Sequence, residues 1–312
     1  MADVKKIATR ESYGNALAEV GAEYPNIVVL DADLAAATKT GVFKKAFPDR
    51  FIDCGIAEGN MMAVAAGMAT CGKLVWASTF AMFASGRAYE QVRNSIAYPH
   101  LNVKIGATHA GITVGEDGAS HQCLEDIALM RVIPGMTVIS PADDVETKAA
   151  VRAACELDGP VYLRTGRAGV PVINDRPEYK FGIGKGVQLR EGGDLSIVAT
   201  GVMVNSALEA AELLAADGIQ ADVINIHTIK PIDKDILVKT AQKTKKVFTA
   251  EEHSVIGGLG AAVAEVLSEE CPTKMKRIGV YDVFGESGSA AALMEKYRLD
   301  GKGLYAQIKE SL

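Results

Sequence analysis

Apolar residues recur along the chain in short runs separated by stretches with helical spacing. Runs at 27–30, 74–77, 103–107, 137–140 and 161–164 read as strands, and the segments between them can hold helices. Strands alternating with helices build a parallel sheet covered on both faces, which the apolar character of the last runs suits. From 165 to 193 the pattern lapses into Gly, Pro, Asn and Asp with scattered charges, the composition of a linker. A second alternation follows, with strands at 195–200, 221–226, 246–250 and 277–281 and helical stretches such as Met203–Ala216 and 260–269. The pattern predicts two α/β domains, 1–185 and 186–312, each a mainly parallel sheet flanked by helices.

One carboxylate stands out against this pattern. In Asp53-Cys-Gly-Ile-Ala-Glu58-Gly-Asn-Met-Met, Glu58 sits in a small-residue turn before a nearly uncharged helix at 60–69. Burial would disfavour its ionised form and raise its pKa. The helix N-terminus pulls the other way, by roughly 0.3–1 kcal/mol. A helix-start carboxylate without chemistry fits the same spacing.

Composition narrows the function classes. The chain has 312 residues, 48% hydrophobic and 23% charged, with 33 basic against 39 acidic residues and a net charge of -6. With no basic block, a nucleic-acid surface is not expected. The five cysteines, at 54, 71, 123, 155 and 271, form no Cys-x-x-Cys pair and read as small buried hydrophobes in a reducing compartment. The leading Met-Ala-Asp-Val-Lys-Lys shows no apolar signal segment, and no run of about 18 apolar residues is present to span a bilayer. A cytoplasmic protein without a membrane partner is the expectation.

Further candidate chemistry lies in loops after the predicted strands. Asp33 follows the first strand, at the carboxyl edge where parallel sheets bind ligands. Phe80 and Phe83 are placed at the start of a helix running through Arg87, Tyr89 and Val92, where i and i+3 share a face. His109, after Thr108, and His121, in Gly115-Glu-Asp-Gly-Ala-Ser-His121-Gln, occupy a Gly-rich segment with too few apolar residues for a core. Imidazoles there suit proton relay near neutral pH. No third ligand stands at a suitable spacing, so no metal site is assigned. Arg10, Arg164 and Arg167 offer guanidinium forks for an anion. Glu125 and Asp126 are read as supports of the next helix, and Glu251-Glu252-His253 as structural. Gly257-Gly-Leu-Gly260 is a weak dinucleotide-loop signal, because no clean strand leads directly into it.

Taken in order, the Glu58 segment, Ser78-Thr-Phe80-Ala-Met-Phe83, Thr108-His109, the Gly115–Gln122 motif and Ile133-Pro-Gly-Met136 resemble the pyrimidine-binding and C-terminal domains of transketolases. The resemblance runs from about residue 10 to the C-terminus. It implies thiamine diphosphate as cofactor and ketol transfer between sugar phosphates. Glu58 would hydrogen-bond the aminopyrimidine ring nitrogen, and Phe80 and Phe83 would stack beneath that ring. A third family aromatic falls at Gly86, leaving that part of the wall absent or supplied by Tyr89. His109 and His121 would line the substrate channel and Asp117 would bind a substrate hydroxyl. Arg10, with Arg164 or Arg167, would take the phosphate, and Asp33 would lie near the cofactor and the dimer interface. Ala37 stands where the family often has a phosphate-binding Ser.

Transketolases hold the diphosphate through a metal ion bound by a Gly-Asp-Gly segment and a later Asn. No Gly-Asp-Gly occurs here. The resemblance therefore implies a separate N-terminal partner subunit carrying the ligands for Mg2+ or another divalent metal. It also implies self-association about a two-fold axis, as a heterotetramer. A deoxyxylulose-phosphate synthase-like or 2-oxo acid dehydrogenase beta-type subunit shares Glu58, and a non-catalytic assembly subunit remains a reading from another class.

Overall fold

The computed structural model describes residues 5–312; the first four residues, and the part of the N-terminal expectation that falls on them, lie outside it. The first sheet has seven strands in the order Thr228–Lys230, Thr137–Ile139, Val161–Arg164, Val103–Thr108, Leu74–Phe80, Ile27–Asp31, Phe51–Asp53. All pairings are parallel except that of Thr228–Lys230, an antiparallel edge strand lent from the second half of the chain. The second sheet runs Lys274–Val280, Lys246–Ser254, Leu195–Ala199, Ala221–Asn225, Val187–Arg190, with only the last strand antiparallel. A two-stranded ribbon pairs Lys6–Ala8 with Gly169–Pro171.

Successive side chains of a strand point to opposite faces, and the core follows that rule. Val28 and Leu30, with Val75 and Ala77, pack toward Met61 and Met62 of helix Glu58–Thr70. Ile27 and Val29, with Leu74 and Trp76, pack toward Tyr13 and Leu17 of helix Thr9–Glu23. Each of these buried large side chains contributes about 1.5–3 kcal/mol relative to exposure. The near-absence of charge on Glu58–Thr70 is thus partly explained, since Met61, Met62, Ala65 and Ala66 line the core.

Several elements differ from the sequence expectation. The strand expected at 74–77 continues to Phe80, so Phe80 ends a strand and does not begin a helix. Glu58 is the first residue of its helix. The segment expected as a linker contains the edge strands Gly169–Pro171 and Val187–Arg190, too short for periodicity to register. Strand Lys246–Ser254 does lead to Gly257, but the N-terminus of the following helix Leu259–Glu270 is already occupied. Glu251 accepts hydrogen bonds from the amides of Leu259 and Gly260, so that terminus is closed to a phosphate.

The two sheets are joined by a buried ion network. Arg164, 4% exposed at the end of its strand, donates Nε to Asp126 Oδ2 at 2.9 Å and Nη2 to the Glu252 carbonyl at 3.2 Å. Its Nη1 lies 3.7 Å from Glu252 Oε1, and Tyr162 Oη donates to Asp126 Oδ2. Asp126 and Glu125 therefore do not cap the next helix by their side chains: Asp126 binds Arg164, and Glu125 accepts from the Leu124 amide. Burial raises the Glu252 carboxyl, and Arg164 opposes that shift. Burial lowers His253 to about 4. Removing one member of such a network strands the others without water or counterion. Arg164→Met is expected to destabilise the chain by about 3–5 kcal/mol in urea unfolding, whereas a loss under about 1 kcal/mol would show the network to be dispensable.

Candidate active site

The functional side chains gather at the carboxyl edge of the seven-stranded sheet, where loops leave the parallel strands. Two of them sit in left-handed backbone, Asp33 at φ 62° and His109 at φ 57°. For residues other than Gly this conformation is uncommon and is held by its surroundings. The Asp33 turn is held by Asp31, whose carboxylate accepts from the Leu34 amide and from the Thr38 and Thr40 hydroxyls. Burial pushes Asp31 up to about 6 while those donors pull it down. The Asp33 amide itself donates to Asp53 Oδ1, fastening this turn to the strand that precedes Glu58.

His109 follows strand Val103–Thr108 and lies flat on Phe80, with ring centroids 3.8 Å apart. Phe83 stacks beside Phe80 at 5.7 Å, and His121 meets Phe83 edge-on at 5.5 Å. The two phenyl rings and two imidazoles thus form one wall. Tyr89 does not join it; that side chain packs against the hydrophobic core instead.

Arg10 Nη1 reaches His109 Nε2 at 3.1 Å and also donates to the Ala37 carbonyl. A guanidinium can only donate, so Nε2 is the acceptor and the proton resides on Nδ1, which donates to Thr108 Oγ1 at 2.9 Å. Burial, followed by the charges of Arg10 and Arg167, lowers His109 to about 3. Its neutral form is the resting one.

Arg167 donates to the Val114 carbonyl and pairs with Glu116. It lies close enough to Arg10 to lower that guanidinium's pKa, second to burial, while Asp117 raises it. Arg10, Arg167, Asp117 and His109 therefore share one electrostatic neighbourhood. Arg164 does not: the expectation that it offers a free fork to an anion is corrected by its burial between Asp126 and Glu252.

Glu58 is 2% exposed, and its burial is answered by a counterion. Arg87 Nη1 donates to both carboxylate oxygens, at 3.0 and 3.1 Å, with its guanidinium 4.5 Å over the Phe83 ring. Sequence reasoning left Arg87 without a role; it is the one charged residue between Phe80 and Tyr89, and that isolation is the signal. A cleft of about 530 Å³ opens beside Phe83 and Arg87, bounded by Ser120, Gln122 and, from the second domain, Phe284. Among the described residues, no group of three or more His, Cys, Asp or Glu is placed to hold a metal, and no helix is long and apolar enough to cross a membrane.

The transketolase pyrimidine-binding domain matches residues 5–172, and the transketolase C-terminal domain matches residues 184–304. The chain belongs to the transketolase family. It is 53% identical over 305 residues to a chain of Methanocaldococcus jannaschii provisionally named a transketolase C-terminal section, covering 97% of this chain and 96% of that one. It is 47% identical over 301 residues to the 6-deoxy-6-sulfo-D-fructose transketolase subunit SqwH of Clostridium sp. (strain MSTE9), covering 96% and 93%. The solved structure of a split-gene transketolase, an inactive β4 tetramer, superposes with a TM-score of 0.91 at 57% identity, covering 97% of this chain and 98% of the other. The fold of this transketolase-family chain is accordingly the paired arrangement of mainly parallel sheets flanked by helices.

His109 carries a pH signature. Its value in the folded chain lies below the ordinary 6.5, so the native state binds fewer protons than the unfolded chain between about 6.5 and 3. The stability it contributes is present above that window and lost as pH falls through it. Imidazole NMR of the full chain is expected to show His109 neutral down to pH 5 or below, with a higher midpoint in Arg10→Ala. A wild-type midpoint near 6.5 would contradict the geometry.

Proposed function

We propose that this chain is the C-terminal subunit of a two-polypeptide, thiamine diphosphate-dependent transketolase that moves a two-carbon ketol unit from an anionic ketose to an aldose acceptor. The observation that carries the reading is the junction of Glu58, Phe83 and Arg87. There a planar, nitrogen-bearing group lies over an aromatic ring while donating to a buried carboxylate. That geometry suits a flat aminopyrimidine, whose neutral ring nitrogen would accept from a protonated Glu58 where the Arg87 guanidinium now donates.

The transketolase family depends on thiamine diphosphate, which when bound supplies the electron sink for cleaving the bond beside a ketose carbonyl. The chain's own residues then have separate tasks. Glu58 presents its carboxyl group to the pyrimidine ring nitrogen and governs the proton there. Phe80 and Phe83 hold the ring plane, at about 0.5–1.5 kcal/mol beyond burial. His109, neutral with Nε2 as acceptor, takes a proton or hydrogen bond from a substrate hydroxyl once Arg10 turns to an anion. His121, part of that wall, and Asp117 bind further hydroxyls, and Asp33 lies toward the cofactor and subunit interface.

Arg10 and Arg167 would hold the donor's anionic end. SqwH, by its name, acts on a sulfonated fructose, and a guanidinium pair suits a sulfonate as well as a phosphate. With Ala at position 37 there is no side-chain hydroxyl, so recognition would rest on the arginines. The pyrimidine-binding part would span 1–185 and the C-terminal domain 186–312. An N-terminal subunit would bring the diphosphate and Mg2+ ligands, in an assembly of two chains of each kind. The β4 relative lends support to self-association.

Co-expression with the N-terminal subunit, followed by a ketol-transfer assay with thiamine diphosphate and Mg2+, tests the reading. Transfer is expected from the pair and from neither chain alone, without release of carbon dioxide. Glu58→Ala is expected to lower turnover by about 10²–10⁴-fold. Full transfer by this chain alone, or an active Glu58→Ala pair, would overturn it.

A further inference from the structure

The segment from Gly111 to Gln122 carries Asp117 and His121 and is held from both domains: Arg167 and Phe83 contact it from the first, Glu252 and Glu286 from the second. Gly111, Gly115 and Gly118 all adopt left-handed backbone, at φ 79°, 84° and 72°. Gly111 and Gly118 face the second domain, and Gly115 faces both Arg167 and the second domain. A Cβ on Gly111 would stand 2.2 Å from Glu252 Cδ, one on Gly115 3.3 Å from the Gly288 carbonyl, and one on Gly118 2.4 Å from Ser287 Oγ. A side chain at the first would therefore force the Glu252 carboxylate aside, and at the last the Ser287 hydroxyl, quite apart from its backbone strain.

Between these glycines lies a specific clamp. Glu252, fully buried on strand Lys246–Ser254, accepts through Oε2 from both the amide and the hydroxyl of Thr113, at 3.0 and 2.7 Å. Its other oxygen faces Arg164. At the far end of the segment, Gln122 Nε2 donates to the Glu286 carbonyl at 2.9 Å. A Gly-rich segment loses much backbone entropy on ordering, so its single conformation needs fixing from outside. The second domain supplies part of that fixing, through Glu252 and the Glu286 carbonyl.

We infer that Glu252 and Thr113 are positioning residues for ketol transfer, and that one task of the C-terminal domain is to template the substrate wall bearing Asp117 and His121. This rests on the transketolase reading above. Thr113→Val removes the hydroxyl donor but keeps shape and amide, and Thr113→Ser restores the donor. In the pair with the N-terminal subunit, Thr113→Val is expected to lower kcat/KM for a sugar phosphate donor about ten- to a hundredfold, as small misplacements of a bound substrate do. Thiamine diphosphate affinity should change less than kcat/KM, because Glu58, Phe80 and Phe83 lie outside this segment. Thr113→Ser should behave as wild type.

Amide hydrogen exchange of the full chain gives a readout independent of turnover. Exchange across residues 112–122 should speed up in Thr113→Val and not in Thr113→Ser. A Thr113→Val chain that loses thermal stability while its kcat/KM and its exchange in this segment stay at wild-type values would overturn the inference. A wild-type pair that shows no ketol transfer, with the exchange difference intact, would instead overturn the functional reading and leave Glu252 and Thr113 as a purely structural clamp.

Discussion

The guanidinium of Arg164, buried between Asp126 and Glu252, is the contact on which the arrangement of this protein depends. A charge removed from water must be answered on every side, and here the answers come from two domains at once. Asp126 belongs to the first domain, next to the strands that carry His109. Glu252 belongs to the second and reaches past Arg164 to Thr113. The same ions that join the domains therefore also hold the segment that bears Thr113.

At the carboxyl edge of the first sheet, the chain accepts local strain in return for placement. His109 and Asp33 both occupy left-handed backbone just beyond a strand; the Asp33 amide donates to Asp53 Oδ1, and the His109 ring pairs with Thr108 Oγ1. The result is an imidazole kept neutral, stacked on Phe80 and capped by Arg10. Its basic nitrogen is presented toward the region where two guanidiniums and an aspartate converge. The charges of Arg10 and Arg167 are concentrated there, with Asp117 close by.

Glu58 illustrates how a buried acid is answered by a counterion from a neighbouring element. Arg87 supplies the counterion while its guanidinium lies over Phe83. Because Arg87 is more than half exposed, that pairing is screened by water and remains displaceable.

Sequence alone determined the alternation of strands and helices, the Met203–Ala216 helix to the residue, and the family to which the chain belongs. Those features are written in local periodicity and in short ordered motifs, which need no knowledge of distant partners. It also singled out Glu58, His109 and His121, because polar groups in apolar or Gly-rich surroundings are anomalous wherever they fold. Edge strands such as Phe51–Asp53 and Thr228–Lys230 escaped it, since three residues carry no period. Partner choice escaped it too. Arg87 finds Glu58 across 29 positions and Thr113 finds Glu252 across 139, and nothing local distinguishes the buried Arg164 from the accessible Arg167 three residues on. Only the tertiary structure decides which guanidinium loses its water, because burial and pairing are properties of the packed sheets and not of the strand that bears the residue.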